Sequence, residues 1–212
     1  MTHCDNPATC STCAANAKAE GGHTLADWRI IRAAYDCNER FPRRFVDANA
    51  DHPQVLAWAG GCADSPKTSP SLLIAGPTGT GKTWQAYGAL RIAVTTPRGP
   101  RWEATTFADF IASLRPSAKD PESNLERYRN ADVLLLDDLG AAKSSEWVEE
   151  TAYRLLNHRY EAMLPTIFTT NLPLADLREG LGDRLASRLV ETCERVVLAG
   201  GDRRRQPRGA AA

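Results

Sequence analysis

Residues 72–83 read Leu-Leu-Ile-Ala-Gly-Pro-Thr-Gly-Thr-Gly-Lys-Thr, an apolar run followed directly by a glycine-rich loop. The loop, residues 76–83, matches the phosphate-binding pattern Gly-x4-Gly-Lys-[Ser/Thr] at every specified position. A chance match at all of these positions is rare in this chain, because only five of its 26 basic residues are lysines. The stretch therefore predicts a strand, a phosphate loop and a helix, in that order.

Each part of the loop has a chemical role in binding a nucleoside triphosphate. The glycines allow backbone N–H groups to surround phosphate oxygens, while Lys82 reaches the β and γ phosphates. A helix beginning near Gly81 points its positive end at the same phosphates. We expect ATP to bind to Gly76, Pro77, Thr78, Gly79, Thr80, Gly81, Lys82 and Thr83, with Mg²⁺ held in part by the Thr83 hydroxyl.

Length and composition limit the classes of protein to consider. The chain has 212 residues, 42% of them hydrophobic, which is enough for one α/β ATPase core with an appendage. Acidic and basic residues balance at 26 each, so any contact with nucleic acid must come from a local patch. The sequence contains neither an 18-residue apolar stretch nor a signal-peptide pattern, and we expect a cytoplasmic protein without a membrane partner.

Three regions follow from the pattern along the chain. Residues 1–65 form an N-terminal extension, residues 66–205 an ATPase core, and residues 206–212 a flexible tail. Within the extension, Thr24 and Asp27 form a capping-box pattern before a helix whose apolar face carries Trp28, Ile31 and Tyr35. A second helix begins near Pro53 and is expected to stop at the glycines of positions 60 and 61.

Apolar strands alternate with helical patterns from residue 71 onward, which is typical of βαβ units. Strands are expected at residues 71–75, 102–105, 133–136, 166–170 and 196–198. Between them lie helical patterns, one of which begins at Ser144 or Ser145 and carries Trp147 and Tyr160 on its apolar face. The predicted fold is a P-loop α/β core with a parallel sheet flanked by helices.

Two carboxylates follow the apolar strand at residues 133–136. In a parallel sheet the carboxyl ends of the strands meet at one edge, so Asp137 and Asp138 are expected beside the phosphate loop. We expect Asp137 to hold Mg²⁺ through its water shell and Asp138 to orient or deprotonate the attacking water. The alternative is a polar turn that simply follows a strand.

Asn171 ends the next strand in the chain, which is expected to lie beside the strand of Asp137. Its amide can reach the γ phosphate or the water from there, or it can serve only as a cap before Pro173. Two arginines, Arg184 and Arg188, are spaced four residues apart on one helix face. Such a pair suits an arginine finger for a neighbouring subunit, although surface arginines are common in this chain.

These elements together resemble the AAA+ ATPases, and more closely the helicase loaders of the DnaC/DnaI type and the related IstB-type proteins. The resemblance spans residues 40–205, and the run Asn157-His158-Arg159-Tyr160 followed by residues 165–172 is its most discriminating part. It implies that Asn171 is the sensor 1 residue and that Arg188 is the arginine finger, with Arg184 beside it. Near the C-terminus, Asp202 stands where these families often have Ser.

The same resemblance implies where single-stranded DNA binds. In this family the region of residues 107–130 can carry a helix that contacts DNA, and here its basic residues Arg115, Lys119, Arg127 and Arg129 are interspersed with acidic ones. A solvated surface helix is the alternative. The run of arginines at residues 203–208 either holds a phosphate backbone or serves as a solubilising end.

The N-terminal head contains three cysteines, Cys4, Cys10 and Cys13, within ten residues. The Cys10-x2-Cys13 spacing is common in zinc sites, with His3, His23 or Cys37 available as a fourth ligand. Loose thiols and a redox pair are the alternatives to a Zn²⁺ site.

The leading hypothesis is an ATP-dependent loader that assembles a replicative helicase on single-stranded DNA and shares its ATP sites between its own subunits. Residues 1–65 would then contact the helicase; the alternative is that Trp28 and Tyr35 pack this segment onto the ATPase core. An IstB-like transposition helper ATPase is the first alternative. A P-loop kinase for a small molecule and a nucleotide-dependent adaptor with little turnover are the others.

Overall fold

The computed structural model describes residues 24–140, 145–173, 176–177 and 182–201, and the structural statements below refer to these residues. The strands are β1 (Ser71–Ala75), β2 (Trp102–Thr106), β3 (Val133–Asp137), β4 (Thr166–Thr170) and β5 (Cys193–Val197). The helices are α1 (Leu25–Arg40), α2 (Pro53–Asp64), α3 (Lys82–Val94), α4 (Phe107–Ser113), α5 (Pro121–Arg129), α6 (Glu146–Glu161) and α7 (Asp183–Thr192). Short 3₁₀ turns cover Arg43–Phe45 and Pro66–Thr68.

The strands form one parallel sheet in the order β2-β3-β4-β1-β5, which confirms the predicted α/β fold. The register pairs Ile74 with Thr169 and Leu135 with Ile167. The carboxyl ends of β1, β3 and β4 therefore lie side by side at one edge. Open parallel sheets bind ligands at this edge, where the direction of strand addition reverses.

The sheet is covered on both faces, which explains why its central strands are apolar throughout. Successive side chains point to opposite faces. Leu72 and Ile74 accordingly join the hydrophobic cluster with α2 and α3, whereas Leu73 joins the cluster with α4, α6 and α7. None of the helices among the described residues has the length and apolar character needed to cross a membrane.

Helix α1 begins with the predicted capping box, in which the Thr24 hydroxyl accepts from the Asp27 N–H and Asp27 accepts from the Thr24 N–H. The predicted apolar face was wrong in part, since Ile31 and Tyr35 are 44% and 53% exposed. Ala33 and Cys37 are buried instead. Small side chains allow the helix to approach the core closely, and the larger apolar ones stay outside.

Helix α2 continues through Gly60 and Gly61 to Asp64, so the expected stop at the glycines was wrong. Glycine costs a helix only about 1 kcal/mol relative to alanine. Here burial of Trp58, Ala59 and Cys62 against the core outweighs that cost. The indole N–H of Trp58 also donates to a backbone carbonyl just before β1, at 2.8 Å.

The chain between α1 and α2 crosses α3 at Gly88. A Cβ at this position would lie 2.2 Å from the backbone nitrogen of Ala50, so only glycine permits the crossing. One turn earlier on the helix, the Gln85 side-chain oxygen accepts from the backbone N–H groups of Asp51 and His52, at 3.0 and 3.1 Å. These contacts hold the preceding 3₁₀ turn, Arg43–Phe45, beside the phosphate loop.

Arg159 is a buried charge at the amino edge of the sheet. Its side chain is 2% exposed and lies on α6. The guanidinium donates to the carbonyl oxygens of Tyr128, Arg129, Ala131 and Pro165 and to the Thr166 hydroxyl, at distances between 2.8 and 3.2 Å. Burial lowers its pKa to about 9, which leaves it protonated at neutral pH. Arg159 thereby joins the end of α5 to the beginnings of β3 and β4.

Replacement of Arg159 with alanine leaves several buried carbonyl oxygens without a donor. We expect the free energy of unfolding of Arg159→Ala to fall by about 3 kcal/mol or more, as measured by urea denaturation. Arg154→Ala is the matched control, because Arg154 lies on the same helix in an exposed ion pair with Glu122. The control should change stability by less than about 0.5 kcal/mol, and equal losses in the two variants would contradict the role of Arg159.

Candidate nucleotide-binding site

A cleft of about 1070 Å³ opens at the carboxyl edge of the sheet. Its lining includes the phosphate loop, the end of β3 and the end of β4, as the sequence predicted. The lining residues from these elements are Thr78, Gly79, Gly81, Lys82, Thr83, Asp137, Asp138, Thr169 and Asn171. Five of the eight predicted loop residues thus line one cavity with both aspartates and Asn171, whereas Gly76, Pro77 and Thr80 belong to the loop but do not line the cleft.

The loop has the backbone geometry that its glycines permit. Gly79 and Gly81 have φ values of 90° and 94°, a region that other residues rarely adopt. Gly81 is the N-cap of α3, so the positive end of that helix faces the cleft. The Lys82 ammonium donates to the carbonyl oxygen of Pro77 at 2.9 Å, and the Thr80 hydroxyl does so at the same distance. These contacts keep Lys82 folded over the loop.

Thr83 and Asp137 face each other on the floor of the cleft. The Thr83 hydroxyl donates to the two carboxylate oxygens of Asp137 at 3.0 and 3.2 Å. Burial raises the pKa of Asp137, whereas hydrogen bonds from Thr169 and Thr83 lower it. The oxygen donors present are those that Mg²⁺ prefers. Thr83 and Asp137 would therefore suit Mg²⁺ as oxygen ligands.

Thr169 connects the two aspartates. Its hydroxyl donates to Asp137 Oδ1 at 2.6 Å and accepts from the backbone N–H of Asp138 at 2.8 Å. The Asp138 backbone has a φ of 58°, unusual for a residue with a side chain, and its carboxylate is exposed within the cleft. Thr169 therefore holds a strained turn in place at the point where Asp138 enters the cleft.

Sequence reasoning placed Thr169 in the strand but gave it no role in the site. The signal that identifies it is the parallel pairing of β3 with β4, which brings the ends of these strands together. Asn171, two residues further on, also lines the cleft and is exposed.

The N-terminal segment supplies a second wall that sequence analysis missed. Arg43, Arg44, Phe45 and Asp47 line the same cleft as the loop, together with Trp84 from α3. The Phe45 ring stacks on Tyr87 with a centroid separation of 4.9 Å and an interplanar angle of 8°. In the sequence, the feature that could have identified this wall is the basic and aromatic run Arg43-Arg44-Phe45, which follows the first helix.

Arg184 and Arg188 lie outside this cleft, on α7. Arg188 lines a separate cavity with Ser71 and Thr166, the first residues of β1 and β4. That cavity is therefore at the amino edge of the sheet. A five-residue strand spans roughly 17 Å, so Arg188 is separated from the phosphate loop of the same chain by about the length of a strand.

The predicted zinc ligands Cys4, Cys10 and Cys13 lie outside the described residues. Cys37, named as a possible fourth ligand, is buried in the core, and burial raises the pKa of its thiol. Among the residues that the structure describes, no group of three or more His, Cys, Asp or Glu side chains is arranged to hold a metal ion.

Trp84 provides an intrinsic probe of the cleft. We expect Mg-ATP to change its fluorescence saturably, and Trp84→Phe to abolish that change. Lys82→Ala removes the ammonium from the phosphate site and should weaken the apparent affinity by roughly 10- to 100-fold or more. An unchanged titration midpoint in Lys82→Ala would show that ATP does not bind to the loop.

Comparisons with known proteins agree with this geometry. The chain is 27% identical to the phage-like element PBSX protein XkdC of Bacillus subtilis (strain 168) over 178 residues, which cover 80% of this chain and 59% of XkdC. It is 28% identical to the replicative helicase loader DnaI of the same organism over 113 residues, 47% of this chain and 36% of DnaI. The chain thus spans little more than half the length of XkdC and about a third of DnaI.

Among solved structures, the DnaC helicase loader superimposes with a TM-score of 0.66 at 27% identity, over 74% of this chain and 100% of that one. This likeness confirms the P-loop AAA+ fold predicted from the sequence. The family model described as IstB-like ATP binding protein matches residues 47–211, which include the loop, both aspartates and both arginines of α7. The chain therefore belongs to the family of IstB-like ATP-binding proteins.

Proposed function

We propose that this protein is an ATPase that loads a replicative DNA helicase onto single-stranded DNA, with each ATP hydrolysed at an interface between two of its own subunits. The observation that carries the proposal is the separation of the catalytic groups. The cleft contains the phosphate loop and two aspartates, while Arg188 lies at the opposite edge of the sheet. A second subunit is needed to bring these two surfaces together.

The residues of the cleft suit phosphoryl transfer to water. Lys82 and the N-terminus of α3 place positive charge against the phosphates. Mg²⁺, held by Thr83 and Asp137, would neutralise charge on the β and γ phosphate oxygens. Asp138 orients the attacking water and accepts its proton, as the water oxygen bonds to the γ phosphorus and the bond to the bridging oxygen breaks. Asn171 contacts the γ phosphate or the water.

Arg188 is the proposed arginine finger. Inserted into a neighbouring cleft, its guanidinium would stabilise the negative charge that develops on the γ phosphate oxygens, an effect worth orders of magnitude in rate. Arg184, one turn earlier on α7, is exposed and is proposed to contact the same neighbour.

Likeness to DnaI and to the DnaC structure supports the loader function, since both proteins are described as helicase loaders. The family model favours a second candidate, a transposition helper ATPase of the IstB type. The two functions share the ATP site and differ in the partner. Residues 1–65 are the proposed helicase-binding segment, and the exposed side chains of Leu25, Ile31 and Tyr35 on α1 give it an apolar surface.

Some basic side chains of the proposed DNA-binding region, residues 107–130, form ion pairs with acidic ones. Arg127 forms an ion pair with Glu103 at 3.7 Å and stacks on the Tyr128 ring, and Arg129 pairs with Glu126 at 3.2 Å. Arg115 and Lys119 are exposed in the loop before α5. The arginines at residues 203–208, proposed as a phosphate-backbone contact, lie outside the described residues.

Arg188→Ala tests the shared site. We expect the variant to bind ATP with unchanged affinity, because Arg188 is remote from its own cleft, and to lose about 10³-fold or more in kcat. In the wild-type protein, ATPase activity per subunit should fall on dilution. Loss of ATP affinity in Arg188→Ala, or a specific activity that is independent of concentration, would contradict the interface role.

Partner identity is tested by capture from the native host in the presence of ATP, with Asp138→Asn as the bait to slow hydrolysis. We expect a replicative helicase to be retained, and the double variant Ile31→Ser/Tyr35→Ser to retain less of it. Arg32→Ser, on the same helix, is the control for a polar change. Retention of a transposase instead, together with preference for duplex over single-stranded DNA in anisotropy titrations, would establish the alternative function.

A further inference from the structure

The guanidinium of Arg188 is held by one face of α6. Tyr153, Asn157 and Tyr160 are spaced i, i+4 and i+7 along that helix and so project from the same side. The guanidinium carbon lies 5.0 Å from the Tyr153 ring centroid and 4.9 Å from the Tyr160 ring centroid. Arg188 also donates hydrogen bonds to the Asn157 side-chain oxygen and, at 3.3 Å, to the Tyr153 hydroxyl.

Other contacts fix two of these three side chains. The Asn157 amide nitrogen donates to Glu161 at 2.9 Å, which orients the amide oxygen toward Arg188. The Tyr160 hydroxyl donates to Glu191 of α7 at 3.0 Å, which ties its ring to the helix that carries the arginine. Arg184, one turn earlier and exposed, shares none of the contacts that the structure assigns to Arg188.

The partners of Arg188 are neutral. Among the described residues, none of the carboxylates forms an ion pair with its guanidinium. An amide oxygen and two aromatic faces restrict the position of the guanidinium without pairing it directly with a carboxylate. A carboxylate partner would hold it as firmly but would compete with phosphate for the same charge.

We propose that Tyr153, Asn157 and Tyr160 form a cradle that positions Arg188 for insertion into the ATP site of a second copy of this chain. This inference rests on the proposed function, in which Arg188 acts across a subunit interface. The three are positioning residues, since they touch the arginine and not the nucleotide. The proposal also gives a role to the Asn157-His158-Arg159-Tyr160 motif: Asn157 and Tyr160 face the finger, while Arg159 anchors the same helix in the core.

Mixing two variants tests whether Arg188 of one subunit acts on the ATP site of another. The acceptor is Arg188→Ala, which keeps its phosphate loop but has no finger. The donor is Lys82→Ala, which keeps its finger but lacks the ammonium that its own ATP site needs for tight binding and for hydrolysis. Association of each pair is measured with single-stranded DNA and Mg-ATP present. We expect mixtures of acceptor and donor to regain ATPase activity that neither variant has alone.

The cradle is tested by adding Asn157→Ala or Tyr160→Ala to the Lys82→Ala donor. Because the working site belongs to the unaltered acceptor, the KM for ATP should stay constant while kcat falls by about 10- to 100-fold, the cost of a misplaced catalytic group. Tyr160→Phe keeps the aromatic face and should restore most of the activity. Arg154→Ala in the donor is the control on the same helix and should leave activity unchanged.

The possible results separate the action of Arg188 across the interface from the role of the cradle. If the Lys82→Ala donor restores no activity although the subunits associate, Arg188 does not act across the interface, and the proposed function fails together with the cradle. If that donor restores activity and the Asn157→Ala and Tyr160→Ala donors restore it equally well, only the cradle is overturned. The cradle would also be overturned if the Asn157→Ala or Tyr160→Ala donor no longer associated with the acceptor, because these residues would then stabilise the interface and not the position of Arg188.

Discussion

The carboxylate of Asp137 is the point at which three parts of the sheet meet. It ends β3, accepts a hydrogen bond from Thr83, the last residue of the phosphate loop that follows β1, and accepts another from Thr169 in β4. The site depends on this convergence, because a half-buried carboxylate at the end of an apolar strand needs donors from its neighbours. The parallel arrangement of the strands supplies them, since it places all three carboxyl ends at one edge.

The amino edge of the same sheet has its own polar centre. Arg159 binds the carbonyl oxygens that precede β3 and β4 and so fixes where these two strands begin. Since both strands have five residues, fixing their beginnings also determines how Asp137 and Thr169 are aligned at the other end. The contacts of Arg159 at the amino edge therefore help to set the alignment of Asp137 and Thr169 at the carboxyl edge, although Arg159 is remote from the cleft.

The sequence was sufficient for the phosphate loop and for strands β1 to β4, because local patterns determine both. The last strand was expected at residues 196–198 but spans Cys193–Val197, where pairing with β1 and not an apolar run sets its bounds. Side chains whose partners come from distant segments were harder to interpret. Thr169 gains its place through the pairing of β3 with β4, and Arg43 reaches the cleft only because the chain crosses α3 at Gly88. Periodicity alone placed Ile31 and Tyr35 on a buried face, yet the face with Ala33 and Cys37 packs more closely. Trp147 and Tyr160, likewise expected on the apolar face of α6, are 36% and 38% exposed, and Tyr160 packs against Arg188.

The positions of the cleft and of Arg188 constrain how copies of the chain can assemble in the proposed function. The two surfaces are at opposite edges of one sheet, so a contact between the cleft of one copy and Arg188 of the next is head-to-tail. In an open row of such copies, one cleft at one end and one arginine at the other end would have no partner. Such contacts produce rings or helical filaments. If Arg188 acts as proposed, the terminal cleft of an open assembly would lack an arginine, and hydrolysis would be confined to internal interfaces. The rate of ATP hydrolysis would then increase with the number of subunits that have docked. Such a dependence would allow ATP hydrolysis to limit the lifetime of an assembly on DNA.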